Sequence, residues 1–69
     1  MKPKINRIAG YRAMLRLTQK DLANKLGISA QSYSNKENGR TAFSDLEKIK
    51  LKEIFTQIDK SLTIDDIFF

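Results

Sequence analysis

The apolar residues of this chain recur at the spacing of an α-helix, and this pattern constrains the fold more than any other feature. Ile5, Ile8 and Leu15 fit one helical face, and Leu22 and Leu26 lie one turn apart on another. No segment alternates between apolar and polar residues for long enough to predict a strand. We therefore predict an all-α protein.

Short capping motifs mark where the helices begin. A hydroxyl residue stands three positions before an acidic one in TQKD, SDLE and TIDD, which start at Thr18, Ser44 and Thr63. In such a pair each side chain can satisfy a backbone N–H of the other residue at a helix start. Ser29 can cap a further helix. The predicted helices cover residues 4–15, 19–26, 30–38, 45–58 and 64–68.

The residues that follow the first three helices differ in how easily they end a helix. Gly27 and Gly39 each follow a helical run, where glycine adopts a left-handed conformation without a Cβ clash. The first helix runs instead into Arg16, which would adopt that conformation at an energetic cost.

The fourth predicted helix carries a wide apolar stripe, which we expect to pack in the core. Its members are Leu46, Ile49, Leu51, Ile54, Phe55 and Ile58.

The composition excludes several classes of function. The 69 residues include no Cys and no His, so disulfides, thiolate chemistry and nucleophile–His pairs are impossible. No metal-ligand spacing and no acid–base pair of carboxylates is present. We therefore predict no enzyme, metal, cofactor or small-molecule substrate. Without a long apolar run or a signal peptide, we expect no membrane association and a single cytoplasmic domain over residues 1–69.

The charge of the chain is distributed unevenly. Residues 1–40 hold nine Lys and Arg against two acidic residues, whereas residues 41–69 hold four Lys against six acidic residues, and the net charge is +5. A polyanion partner for the basic part explains this asymmetry. Ordinary solubilising charge explains it equally well.

Two short helices joined by Gly-Ile-Ser at residues 27–29 form the most informative unit. Leu22 and Leu26 lie one turn apart on the first of them, and the small Ala23 lets the second helix cross closely. This layout predicts a helix-turn-helix over about residues 18–38.

The segment LTQKDLANKLGIS followed by ENGR resembles the Cro/CI-type (xenobiotic-response-element-like) helix-turn-helix family of phage and bacterial regulators. The resemblance covers residues 6 to about 43, and the residues in register are Gln19, Ala23, Gly27, Ile28, Ser29, Glu37, Asn38 and Gly39. It implies a compact five-helix, lambda-repressor-like DNA-binding domain. It also implies a transcription regulator, such as a repressor, that binds a double-stranded operator as a homodimer.

The resemblance assigns roles to individual residues. Those expected to contact bases are Ala30, Gln31, Ser32 and Asn35. Those expected to contact phosphate are Thr18, Gln19, Asn38, Arg40 and Thr41. Arg12 and Glu37 are expected to form a structural ion pair. The base contacts make chemical sense, because Gln and Asn amides pair with adenine. Gln19 begins a helix, and helix N-termini attract anions.

Three residues depart from the family pattern. Lys36 stands where many relatives have a bulky apolar residue, and it could contact phosphate instead. Arg16 stands where many have glycine. Tyr33 replaces an aliphatic residue, and we expect its ring to fill the gap while its hydroxyl reaches the surface.

A protein-binding modulator is the alternative function. The sequence ends in Ile67, Phe68 and Phe69. We expect one aromatic ring to close the core, and any apolar remainder left exposed would form a small anchor. That anchor could hold a homodimer or grip a heterologous repressor, as small phage antirepressors do.

Overall fold

The computed structural model of the chain describes residues 7–68, which form five α-helices and no strand. The helices are α1 (Arg7–Met14), α2 (Gln19–Leu26), α3 (Ala30–Glu37), α4 (Asp45–Phe55) and α5 (Ile64–Phe68). The predicted all-α, five-helix architecture is therefore confirmed. The part of the first predicted helix that precedes Arg7 lies outside the described residues.

Reciprocal capping sets the starts of α2 and α4, as the sequence predicts. The Asp21 N–H donates to Thr18 Oγ1 at 3.0 Å, and the Thr18 N–H donates to Asp21 Oδ2 at 2.8 Å. Ser44 and Glu47 make the same pair of bonds at the start of α4. At α3 the Ser29 hydroxyl alone accepts from a backbone N–H of the first turn.

A residue in the left-handed conformation follows each of the first three helices within two positions. These residues are Arg16 (φ 58°), Gly27 (φ 73°) and Gly39 (φ 83°). In each case the N–H of the following residue reaches back to the last turn of the helix: Leu17 to Arg12 O, Ile28 to Ala23 O and Arg40 to Asn35 O. These are Schellman motifs, which satisfy helix carbonyls that would otherwise lack a partner. Arg16 thus adopts the predicted conformation, which costs a non-glycine residue about 1 kcal/mol.

The core lies where α2 to α5 meet, and α1 packs against it. Its buried apolar residues are Leu22, Ala23, Leu26, Tyr33, Phe43, Leu51, Phe55 and Ile67. The ring of Tyr11 on α1 packs against the ring of Phe55 at a tilt of 40°, with centroids 5.3 Å apart. Burying α2 and α3 on this common core fixes the helix-turn-helix.

The fourth helix is shorter and less buried than predicted. It ends at Phe55 instead of Ile58, because the chain tightens there into a turn with i→i−3 hydrogen bonds. Leu51 and Phe55 are buried, but Leu46 is 72% and Ile49 44% exposed. At 100° per residue, Leu46 and Ile49 lie about 140° and 160° from Leu51 around the helix, so one core cannot cover the whole stripe.

Tyr33 is more deeply embedded than expected, whereas α5 packs on the core as expected. Tyr33 is 0% exposed and its ring meets Phe43 edge-on at 5.9 Å, so the prediction that its hydroxyl reaches the surface is wrong. Ile67 is buried, and the Phe68 ring contacts the Phe43 ring at 5.8 Å. Ile67 and Phe68 therefore close the core, and Phe69 lies outside the described residues.

Candidate nucleic-acid interface

Helix α3 has one face in the core and one face in solvent. Tyr33 and Glu37, one turn apart, are its buried residues. The four predicted base-contact residues are exposed or partly exposed: Ala30, Gln31, Ser32 and Asn35. Since side chains four positions apart share a helix face, Gln31 and Asn35 lie together on the solvent side.

A hydrogen bond joins these two amides. Gln31 Nε2 donates to Asn35 Oδ1 at 3.2 Å. An amide group has two N–H donors and one carbonyl acceptor, so Gln31 keeps its oxygen and one N–H for a further partner. This donor–acceptor pair matches N7 and N6 of adenine. The amide nitrogen of Asn35 keeps both of its donors.

The N-terminus of α2 carries the predicted phosphate contacts Thr18 and Gln19. Thr18 is exposed and caps the helix, while Gln19 is partly buried. Free N–H groups and the positive end of the helix dipole favour an anion at this place. The Gln19 side chain also points inward, since its Nε2 donates to Glu37 Oε1 at 3.3 Å.

Arg12 and Glu37 form a bidentate ion pair beneath this surface. Arg12 Nε and Nη2 donate to the two carboxylate oxygens of Glu37 at 3.0 Å each, and Arg12 Nη1 donates to Leu17 O at 3.0 Å. The Glu37 side chain is 3% exposed. Burial raises its pKa, but the hydrogen bonds to the charged form prevail and hold the pKa below its usual value. The pair thus joins α1, the α1–α2 turn and α3.

The Tyr33 hydroxyl is buried near the same ion pair. It makes no hydrogen bond of ordinary geometry with the described residues. Burial raises the pKa of Tyr33, and the Glu37 carboxylate raises it further. The hydroxyl is therefore protonated at neutral pH.

The turn after α3 presents the remaining predicted phosphate contacts. Asn38, Arg40 and Thr41 are all exposed. The N–H groups of Arg40 and Thr41 both reach Asn35 O, at 2.8 and 3.4 Å. This fixes the turn against the last residues of α3.

The side chain of Lys36 is engaged with α4. Its ammonium donates to both carboxylate oxygens of Glu47, at 2.7 and 2.8 Å, and the two side chains are only 17% and 12% exposed. Burial alone would raise the pKa of Glu47. The hydrogen bonds from Lys36 and from the Ser44 N–H have the larger combined effect, so they hold the pKa below its usual value. Lys36 thus joins α3 to α4, and its ammonium is occupied by Glu47.

A helix-turn-helix family model matches residues 8–55, which include α2 to α4 and all of α1 except Arg7. The chain belongs to the Cro/CI-type helix-turn-helix family. An uncharacterized HTH-type transcriptional regulator from Methanocaldococcus jannaschii is 38% identical over 63 residues, which cover 91% of this chain and 88% of the relative. No solved structure matches the chain significantly.

As a member of the Cro/CI-type family, the protein is a DNA-binding regulator of the HTH type and no enzyme. Among residues 7–68, no group of three or more acidic side chains is placed to hold a metal ion. None of the described helices is long and apolar enough to cross a membrane.

Three contacts of this Cro/CI-type domain were missed at the level of sequence. The spacing of Gln31 and Asn35 indicated a shared face, but not that the two amides bond to each other. The Gln19–Glu37 and Lys36–Glu47 contacts connect residues 18 and 11 positions apart. No local pattern reveals such contacts, because they depend on how the helices cross.

Proposed function

We propose that this protein is a sequence-specific regulator that binds double-stranded operator DNA with α3 in the major groove and acts as a repressor. The observation that carries the proposal is the solvent-facing amide pair of Gln31 and Asn35 on α3, a helix whose last residue contacts Gln19 at the α2 N-terminus. A helix fits the major groove, where amide side chains distinguish base pairs by their donors and acceptors.

The base-reading roles follow from the chemistry of each side chain. Gln31 accepts from N6 and donates to N7 of an adenine. Asn35 donates through its amide nitrogen to an acceptor on a neighbouring base pair. Ser32 can donate or accept, and Ala30 contacts a thymine methyl group.

Phosphate contacts on either side of α3 hold it in the groove. Thr18 and Gln19 bind one phosphate at the N-terminus of α2. Asn38, Arg40 and Thr41 bind another segment of the backbone. Such contacts fix the register of a protein on DNA without reading its sequence. Lys36 is not in this set, because its ammonium is held by Glu47.

Two copies of the chain are needed for a useful operator. One α3 reads only a few base pairs, so we propose a homodimer, at least on DNA, with half-sites about one helical turn apart. Repression then follows from occupying a site that the transcription machinery requires. A phage or bacterial origin stays a prediction, since the relative reported above comes from Methanocaldococcus jannaschii.

Selection of bound fragments from random duplex DNA tests the proposal. We expect one enriched sequence with two related half-sites. The logarithm of affinity should fall with the logarithm of salt concentration with a slope of roughly −0.9 per phosphate contacted. Gln31→Ala should relax the preference at one base pair per half-site, whereas Arg40→Ala should weaken all sites equally. No enrichment, or affinity independent of salt, would exclude the proposal.

Protein binding is the second candidate function, favoured by one observation. Leu46 and Ile49 leave an apolar area on α4 that no described residue covers. Such an area suits a homodimer or a heterologous repressor. A protein that binds no duplex and forms a stoichiometric complex with a partner repressor, measured by light scattering, would support the modulator function over the first proposal.

A further inference from the structure

The first residue of α2 and the last residue of α3 are linked through their side chains. Gln19 Nε2 lies 3.3 Å from Glu37 Oε1, and this bond is partly buried. Gln19 belongs to the proposed phosphate contacts, and Glu37 ends the proposed base-reading helix. The bond therefore connects the proposed phosphate contact on α2 to the proposed base-reading helix α3.

The carboxylate of Glu37 decides the orientation of the Gln19 amide. An ionised carboxylate only accepts hydrogen bonds, so the nitrogen of Gln19, and not its oxygen, must face Glu37. One N–H of Gln19 is used in this bond, and the second remains to donate to a phosphate oxygen. A reversed amide would place two acceptors against each other.

Arg12 neutralises the charge of the Glu37 carboxylate, which lies close to the proposed phosphate contact. An unpaired negative charge at this place would repel the DNA backbone. The guanidinium contacts both oxygens of Glu37 at 3.0 Å, which balances the charge and fixes the carboxylate in one position.

We propose that Glu37 is a positioning residue for DNA binding, which holds the Gln19 amide in its phosphate-donating orientation at a fixed distance from α3. This inference rests on the proposed function. It assigns to Glu37 a second role besides its pairing with Arg12. The phosphate contact and the base-reading helix then move as one unit, so a correctly placed α3 brings Gln19 to its phosphate.

A methylphosphonate scan of the selected operator tests this role. In this scan, one phosphate at a time is replaced by a neutral methylphosphonate. The phosphate that Gln19 contacts is the one whose replacement lowers the DNA affinity of the wild type but not that of Gln19→Ala. We expect about a tenfold loss of affinity there, as for a hydrogen bond to a charged group. In Glu37→Met, which offers no acceptor to Gln19, this penalty should largely disappear, while the penalties at phosphates bound by residues 38–41 persist.

Glu47→Met is the matched control. It also removes a carboxylate paired with a cation at the junction of two helices, but it does not contact Gln19. We expect this variant to melt at a lower temperature and to keep the full penalty at the phosphate of Gln19. An equal loss of that penalty in both variants would show that Glu37 acts only through stability, and would overturn the inference.

A second measurement does not require the variant to fold. In the free wild-type protein, NMR should show one of the two Gln19 Nε2 protons shifted away from its solvent-exposed value and slow to exchange, because it is bonded to Glu37. Solvent-like shifts and fast exchange for both protons would overturn the inference even if the protein binds its operator. Absence of duplex binding, by contrast, would exclude the proposed function while leaving this contact measurable.

Discussion

Lys36 on α3 and Glu47 on α4 form an ion pair in which one ammonium contacts both carboxylate oxygens, at 2.7 and 2.8 Å. The Glu47 carboxylate also accepts a hydrogen bond from the N–H of Ser44, the residue before α4. The ion pair therefore connects α3 to the start of α4. Because α3 is the proposed base-reading helix, this pair helps to set its tilt in the groove.

Lys36→Met should separate a structural role from a phosphate contact. We expect a loss of about 1–2 kcal/mol in the free energy of unfolding, because Glu47 is left partly buried without its cation. The salt dependence of DNA binding should keep the wild-type slope, since no phosphate contact is removed. Anisotropy titrations measure this slope. If its magnitude fell by about 0.9, the contribution of one phosphate contact, Lys36 would have to leave Glu47 and bind DNA in the wild type. Arg40→Ala provides the positive control for that reduction.

Arg16→Gly should stabilise the protein. Arg16 is the one non-glycine residue with positive φ among residues 7–68, and glycine adopts this conformation without a clash. We expect a gain of about 0.5–1 kcal/mol in urea unfolding. Gly27→Ala and Gly10→Ala are matched controls, because an added Cβ meets no atom within 4 Å at either position. Gly27 has φ +73° and should lose stability, whereas helical Gly10 should gain it.

Acid should destabilise the fold through Glu37 and Glu47. Both carboxyls have a pKa below the usual 4.5 in the folded protein, since cations hold their ionised forms. Their contribution to the free energy of unfolding is therefore complete above about pH 4.5. It is lost as the pH falls through the pKa values that these groups have in the folded protein. Urea unfolding should give similar stabilities at pH 7 and 5 and lower ones below pH 4. Glu37→Gln should show a shallower decline, and an unchanged decline would contradict this assignment.

Gln31 and Asn35 should act as a coupled pair in base reading. Asn35→Ala frees the N–H that Gln31 donates to Asn35, so the Gln31 amide can rotate. We expect the preference for adenine at the base pair of Gln31 to weaken, in addition to the loss at the base pair of Asn35. A double-mutant cycle on single-base operator variants should give a coupling of about 0.5 kcal/mol or more. Strict additivity would show that the two amides act independently on DNA.

The exposed pair Leu46 and Ile49 should matter for association and not for folding. Leu46→Lys is expected to change the free energy of unfolding by no more than about 0.5 kcal/mol, because the side chain is 72% exposed. If the dimer uses this area, the variant should stay monomeric on DNA and bind a full operator less tightly. Leu51→Ala is the contrasting variant, since that side chain is fully buried and its truncation should cost about 2–5 kcal/mol. Analytical ultracentrifugation with and without DNA gives the mass.

Features set by neighbouring residues were predictable from the sequence. The Thr18–Asp21 and Ser44–Glu47 motifs determine where α2 and α4 start, since both partners lie within one helical turn. The left-handed conformations of Arg16 and Gly27 follow from where the helical patterns stop. The solvent-facing side of α3 was predictable for a similar reason, because family register and helical periodicity agree there.

Features that depend on helix crossing were not predictable. Leu46 and Leu51 belong to the same apolar stripe, and only the packing of α4 determines that Leu51 is buried and Leu46 exposed. The depth at which α3 sits decides that the Tyr33 hydroxyl is enclosed, and sequence gives no measure of that depth. The partners of Gln19 and Lys36 depend on the same crossings.

The division of α3 into two faces has a consequence for how this domain can change. Tyr33 and Glu37 are the buried residues of α3, whereas Gln31 is exposed and Asn35 partly exposed. Under the proposed base-reading role, new side chains at these two positions would alter the DNA target while Tyr33 and Glu37 keep the helix in place. Target preference and folding would then depend on different side chains of the same helix.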